Sequence, residues 1–402
     1  MNAVGIHVFA GGFTLGVKTV MPCDVQLEVH GLGANTAKNV VGVDVVRADR
    51  WEDWPRVDAD FAFGNPRCTG FSCVTAGCDE TSHGPWAKQT KDIHDLVEYS
   101  IKQEYPIFVW ESVQQAYSTG RELLDYLRDE LCVPNGYRIA HIKLCGQAFN
   151  NAQRRKRYFF VAYKGDKNFN VTLPVLNEYE TTLWDVIGPL EHIDVPVYPN
   201  IRKCTAVPPD VRYPMHHLDA ECIPHLECGF DINMLAKFRY PKLPEKFKEM
   251  WDVRSSEMPF SMHSPRRLAK HTACPTFTNS CWKFIHPTRD RGLSVRELAL
   301  LMGWGDKCPI GPDPASEIAK GVIPGIGAWL AEQAKMYLED AWGDEDWHSH
   351  YCASEGRFSG GDANGSAEKM FDLTQYKPWR NQYQVEWEAE LIRKRKAQRE
   401  YL

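Results

Sequence analysis

The chain has 402 residues, with 47 Lys+Arg against 53 Asp+Glu, a formal net charge of −6, and 43% hydrophobic and 25% charged residues. This is the composition of a globular protein of one large or two medium domains. No run of roughly 18 apolar residues offers a membrane span, and the negative balance argues against a surface coated all round for nucleic acid while leaving room for a local basic cleft. Met1-Asn2-Ala3-Val4-Gly5-Ile6-His7 lacks the basic and apolar regions of an export signal, so the 13 cysteines are expected as reduced thiols in the cytoplasm.

In chain order, Val4–Phe9 reads as a strand and Ala10-Gly11-Gly12 as the glycine turn after it. Val25–Val29, Val41–Val46 and Ala59–Phe63 read as further strands, the last ending at Gly64-Asn65-Pro66. Ile93, Leu96, Val97, Ser100 and Ile101 share one face of a predicted helix Asp92–Lys102. Pro106 stops it, and Ile107–Trp110 is a buried strand ending at Glu111. A helix Arg121–Leu131 and strands Tyr137–Leu144 and Tyr158–Ala162 follow. Such alternation predicts an α/β fold, a doubly wound, mostly parallel sheet covered on both faces. From about 165 to 260 prolines cluster and periodicity fades, as in a smaller irregular domain. Ser294-Val295-Arg296-Glu297 is a capping box opening a helix, and Ile326–Leu338 is another. Glu355–Lys369, with four glycines and two serines, reads as a flexible linker. A last helix carries Trp379, Tyr383, Trp387 and Leu391 on one stripe and ends in Arg393-Lys394-Arg395-Lys396.

Three pieces could carry chemistry. Cys68, within Gly64-Asn65-Pro66-Arg67-Cys68-Thr69-Gly70-Phe71-Ser72, follows a predicted strand at the sheet end where open α/β folds bind ligands. Beside Arg67 it can be read as a nucleophile with a depressed pKa; alone it reads more readily as a buried structural thiol. Glu111 ends another strand and by itself suits a surface or cap residue. Gln153 precedes four cations, Arg154-Arg155-Lys156-Arg157, either a solvated charge run or an edge that meets phosphates.

Taken together and in this order, the pieces resemble the cytosine carbon-5 DNA methyltransferase family. Phe9-Ala10-Gly11-Gly12-Phe13 resembles its cofactor loop, Cys68-Thr69-Gly70-Phe71-Ser72 its nucleophile motif, Glu111-Ser112-Val113 its Glu-Asn-Val motif, and Gln153, Arg155 and Arg157 its Gln-x-Arg-x-Arg motif. Arg291–Trp304 and Gly321-Val322-Ile323-Pro324 resemble the two closing motifs. The resemblance implies an S-adenosylmethionine-dependent enzyme that flips cytosine out of DNA and methylates carbon-5 through a covalent adduct. It implies Cys68, Glu111, Arg155 and Arg157 as catalytic, and Phe9, Ala10, Gly11, Gly12, Glu28, Asp49, Trp51, Lys320 and Gly321 as cofactor-binding. Gln153, Arg154, Arg67 and Ser72 fall on the DNA side. The implied division is a catalytic part over 1–164, a target-recognition domain over 165–260, a catalytic return over 261–340 and a tail over 341–402. A monomer of bacterial or phage type, with a cognate restriction enzyme as the partner, fits this size.

The match departs in places. The cofactor loop is two residues short, His7 stands for an acidic residue, Arg67 for a proline, Ser112 for an asparagine and Lys320 for another. The added cations Arg67 and Lys320 leave open a cofactor analogue bearing an extra anion, and with it another transferred group. An RNA substrate and a non-catalytic DNA-binding relative are the remaining alternatives. Cys222, His225 and Cys228, near His216-His217, are dense enough for zinc, but Cys-x-x-His-x-x-Cys is no standard finger spacing, and separate thiols with no metal is the reading taken.

Overall fold

The computed structural model describes residues 1–71, 83–167, 169–191, 266–277, 284–288, 293–311, 313–341 and 368–380, with short pieces at 197–198, 229–230, 359–362, 384–386, 389 and 393. The chain divides into two compact units. The first is Met1–Phe149, Arg155–Leu176 and Gly321–Lys377; the second is Asn150–Arg154, Asn177–Lys320 and Pro378–Leu402. The chain thus returns to the first unit at Gly321, later than residue 261, and the capping-box segment belongs to the second.

The first unit is built on a nine-stranded sheet. Its strands are β1 (Ala3–Ile6), β2 (Val25–Glu28), β3 (Asp44–Arg47), β4 (Phe61–Gly64), β5 (Ile107–Val113), β6 (Tyr137–Cys145), β7 (Lys156–Lys164), β8 (Ser359–Asp362) and β9 (Glu368–Leu373). The order is β8-β9-β6-β7-β5-β4-β1-β2-β3, and β3, β2, β1, β4 and β5 run parallel. Only β7 opposes its two neighbours β5 and β6, and β8 opposes β9. The apolar runs read from the sequence are fully buried here: Val4, Ile6, Ala62, Phe108 and Trp110 pack with Ile93, Leu96 and Val97 of the helix Lys91–Lys102. Burying one such side chain contributes about 1.5–3 kcal/mol. The helix Gly12–Val17 packs against Pro324–Leu338.

Two elements differ from expectation. The helix expected over Arg121–Leu131 is α-helical for Arg121–Tyr126 and then widens to π-type turns over Leu127–Cys132. The expected linker Glu355–Lys369 contributes β8 and the start of β9, which extends the sheet beside β6. Phe371 and Leu373 are buried there, and Glu368 meets two cations and an imidazole: Arg121 at 3.2 Å, Arg128 in a short contact and His141 at 3.3 Å. Burial pushes the Glu368 carboxyl up, but His141, Arg128 and Arg121 outweigh it and hold it well below the usual range. A carboxylate so depressed stabilises the fold above its ordinary pKa of 4.5 and loses that contribution as pH falls through the lowered value. Glu368→Gln is therefore expected to cost about 2 kcal/mol at pH 7, discounted because Arg121 and Arg128 reach solvent. It should also flatten the acid limb of a thermal-unfolding series from neutral to low pH.

In the second unit, Ser294 caps Val295–Leu301 with both bonds of the capping box present, and Thr182 caps Leu183–Ile187 the same way. Leu298, Leu301 and Met302 are buried, as their helical spacing predicts. Most of the predicted C-terminal helix lies outside the described residues; Trp379 pairs with Tyr179 and is 64% exposed. Among the described residues no helix is long and apolar enough to cross a membrane.

Candidate active site

The sheet reverses its winding between β1 and β4, the switch point at which open α/β folds leave a crevice beyond their strand ends. Register aligns Ile6 with Gly64 and Gly64 with Trp110. The next row at this edge is therefore His7, Asn65 and Glu111, with the turn that carries Cys68 leaving from Asn65. Gly64 is required here: a Cβ would stand 2.1 Å from Leu96 Cδ1 and 2.5 Å from the Ile6 carbonyl. On the far side, β7 runs antiparallel to β5 and pairs Arg157 with Val113 and Phe159 with Glu111.

This row closes around one carboxylate. Glu111 is 1% exposed. Its Oε2 accepts from Asn65 Nδ2 at 2.5 Å, and its Oε1 lies 2.5 Å from Arg157 Nε. Arg155, also buried, donates to the Gly321 carbonyl at 2.8 Å and so ties β7 to the returning chain. Burial pushes Glu111 above the usual carboxyl range, against the pull of Arg157 and Arg155. Cys68 starts the turn Thr69–Phe71, its carbonyl accepting from Phe71 N–H at 3.0 Å. Its thiol is pushed up by burial and by Glu111, while Arg157 and Arg155 favour the thiolate. Of the six cysteines described, Cys68 alone is not buried. Cys68, Glu111 and the neighbouring pair Arg155 and Arg157, from three distant parts of the sequence, thus share one electrostatic environment.

The turn after β1 is tight. His7 and Phe9 both take left-handed φ, at 54° and 57°, a conformation side chains avoid. The shortened loop closes through these two residues, and Phe9, Ala10, Gly11 and Gly12 are all buried. Glu28 supports it: Oε1 accepts from Phe9 N–H at 2.9 Å and from Gln26 Nε2 at 2.7 Å, and Gln26 also donates to the Phe9 carbonyl. Glu28 Oε2 is a buried acceptor with no hydrogen bond, 4.0 Å from His7 Nδ1. Burial pushes Glu28 up to about 8 and His7 down to about 4, so both favour their neutral forms at neutral pH. Gly33 seals the loop from outside: its φ is +77°, and a Cβ there would meet Ala10 N at 2.3 Å. Asp49 is exposed, and Trp51 is half-buried with Lys102 Nζ 5.1 Å from its ring centre.

Several expected DNA contacts have other partners. Arg67 makes a bidentate pair with Asp92 at 2.6 and 2.8 Å, and His30 joins at 3.2 Å. The cation in the proline's place thus holds the turn that carries Cys68 to the helix Lys91–Lys102. Asp92 and Asp95 come within 4.8 Å of His7, but their charges are already met by Arg67, His30 and Lys91. Gln153, expected on the DNA side, is instead fully buried in the second unit, its amide on Met302 Sδ at 3.1 Å and Phe277 N at 3.4 Å. It is a packing residue because its strand pairs with Cys274-Pro275. Arg154 remains at the surface, 40% exposed and 3.8 Å from Glu180. Lys320 ends the helix Pro314–Lys320 of the second unit, and Gly321 begins the return of the first. Ser72 and the zinc candidates Cys222, His225 and Cys228 lie outside the described residues. Sequence reading missed Asn65 and Asp92, because only strand register and the Arg67 side chain bring them to the site.

Comparison with known proteins agrees with this arrangement. A family model for C-5 cytosine-specific DNA methylase matches residues 32–313. Among solved structures, a protein described as a DNA modification methyltransferase encoded within an E. coli prophage superposes with a TM-score of 0.57 at 19% identity, covering 84% of this chain and 99% of that one. The Entamoeba histolytica methyltransferase EhMeth gives 0.53 at 11% identity, covering 85% and 98%. At such identities the likeness is one of fold, the methyltransferase sheet with its parallel core. No curated protein matches the sequence. With the family match covering residues 32–313, well over half of the chain, the chain belongs to the C-5 cytosine-specific DNA methylases, enzymes that act on cytosine carbon-5 in DNA.

Proposed function

We propose that Cys68 and Glu111 carry the covalent step of cytosine methylation in DNA, with Arg155 and Arg157 shaping the charge around them. The observation that carries this reading is the single environment shared by these four side chains at the switch point of the sheet. Carbon-5 of cytosine is a weak nucleophile. The Cys68 thiolate adds to carbon-6 and makes the ring an enamine, which is nucleophilic at carbon-5. Glu111 hydrogen-bonds the ring at nitrogen-3 and stabilises the charge that develops there. Arg157 and Arg155 favour the thiolate that burial opposes. A stacked base hides both ring faces, so the target is flipped into the site.

Family membership implies S-adenosylmethionine, and the turn after β1 has a donor set that fits it. Glu28 Oε2, a buried acceptor with no hydrogen bond, suits a ribose hydroxyl, and Phe9, Ala10, Gly11 and Gly12 form the turn beside it, with Gly321 the further residue we assign to this group. Trp51 and exposed Asp49 suit the adenine end. When bound, this group supplies an electrophilic methyl on a sulfonium. The chain's own part is to hold carbon-5 nucleophilic and to exclude water around Glu111. Arg154 contacts the phosphate backbone in this reading. A modification role, alone or with a restriction endonuclease, is the setting we infer.

The test is nucleoside mass spectrometry of duplex DNA treated with the purified protein and S-adenosylmethionine. 5-Methyldeoxycytidine is expected. Methylation of tRNA but not duplex DNA would move the substrate to RNA, and a different mass at cytosine would show that another group is transferred.

A further inference from the structure

We propose that Asn65 positions Glu111 for the flipped base, an inference that rests on the role given to Glu111 above. Three observations converge on it. The register sets Asn65 abreast of Glu111, because Gly64 and Trp110 are directly paired. The Asn65 amide donates to Glu111 Oε2 at 2.5 Å from a position only 3% exposed. Its Oδ1 has no hydrogen-bond partner among the described residues.

The last point decides between two roles. An asparagine at a strand end usually serves the local backbone, its Oδ1 accepting from an N–H two residues on. Asn65 does not use its Oδ1 that way. Its working end is the Nδ2 donor, and that donor is spent on the carboxylate of another strand. A neutral amide cannot give up its donor by titration, and it is directional where the Arg157 contact is chiefly Coulombic. Bound at Oε2, it sets the plane of the carboxyl group and makes the two oxygens inequivalent. The other oxygen, Oε1, is held by Arg157. Such a donor also lowers the Glu111 pKa, in part offsetting burial. Asn65 is thus a positioning residue, acting on the base through Glu111.

The experiment measures kcat and KM for DNA methylation against pH in Asn65→Ala and in Asn65→Asp, which keeps the side-chain shape and replaces the donor with an acceptor. Thermal unfolding verifies that each variant folds. In Asn65→Ala, kcat is expected to fall about 10²-fold, the size seen on removing one preorganised donor, with KM for DNA within about threefold. The limb of the kcat profile that requires protonated Glu111 should move to higher pH, and further in Asn65→Asp, where a second carboxyl opposes ionisation. A purely structural asparagine would leave that limb in place. Profiles of either folded variant superimposing on wild type would overturn the inference. If in the same assay Glu111→Gln is impaired, only the role of Asn65 is lost. A fully active Glu111→Gln, or no transfer by wild type, would sink the reading of Glu111 and the inference with it.

Discussion

Cys68→Ser is expected to lower methyl transfer by on the order of 10⁴-fold or more while duplex DNA binding stays within about threefold of wild type. A serine hydroxyl is a far weaker nucleophile at neutral pH. The cations Arg157 and Arg155 stabilise a thiolate at this position, but they cannot draw a hydroxyl into ionisation. The fold should be little affected, because the substitution keeps nearly the same shape and the turn is held by its backbone and by the Arg67–Asp92 pair. Filter binding or anisotropy with duplex DNA, alongside labelled-methyl transfer, measures both halves. Full activity in this variant would show that Cys68 is one more reduced thiol.

Glu111→Gln is expected to lower kcat by about 10²–10⁴-fold, the range for a positioned acid–base group, with a smaller effect on KM. The amide keeps the shape but has no acid proton, and it leaves Arg157 facing a neutral group. The pH dependence should carry the same signature. Glu111 is raised by burial, so the protonated form persists above the ordinary carboxyl range and is lost as pH rises through the raised pKa. The Cys68 thiolate is gained as pH rises through its own raised pKa. Glu111 is among the charges that act on Cys68, so the thiolate limb depends on the state of Glu111. Glu111→Gln should erase the limb that Glu111 governs and leave the thiolate limb.

Much of this was legible in the sequence, for physical reasons that can be named. The parallel core could be read because strands buried on both faces are continuous apolar runs, as Ile107-Phe108-Val109-Trp110 shows. The helix Lys91–Lys102 was legible from its 3.6-residue spacing, within one residue of its start. Cys68 and Glu111 stood out because each follows an apolar strand. What could not be read is register and side-chain partnership. Asn65 looks like a turn residue until β4 and β5 are aligned, and Arg67 looks like a phosphate ligand until Asp92 is beside it. Gln153 matches a motif yet is buried, since its environment comes from Cys274, more than a hundred positions away. The edge strand β9 was hidden by composition: glycines ahead of it suggested a linker, while its alternating Phe371 and Leu373 fill the core.

Cys68 is expected to bond covalently to the target base. Duplex DNA carrying 5-fluorocytosine tests it most directly, because carbon-5 bearing fluorine has no proton to lose and the adduct cannot be released by elimination. Incubated with wild-type protein and S-adenosylmethionine, then denatured and digested, the DNA is predicted to remain attached to the peptide containing Cys68 and to no other. Methylation of ordinary duplex DNA by the same preparation, with no adduct at Cys68 on the fluorinated duplex, would contradict the account.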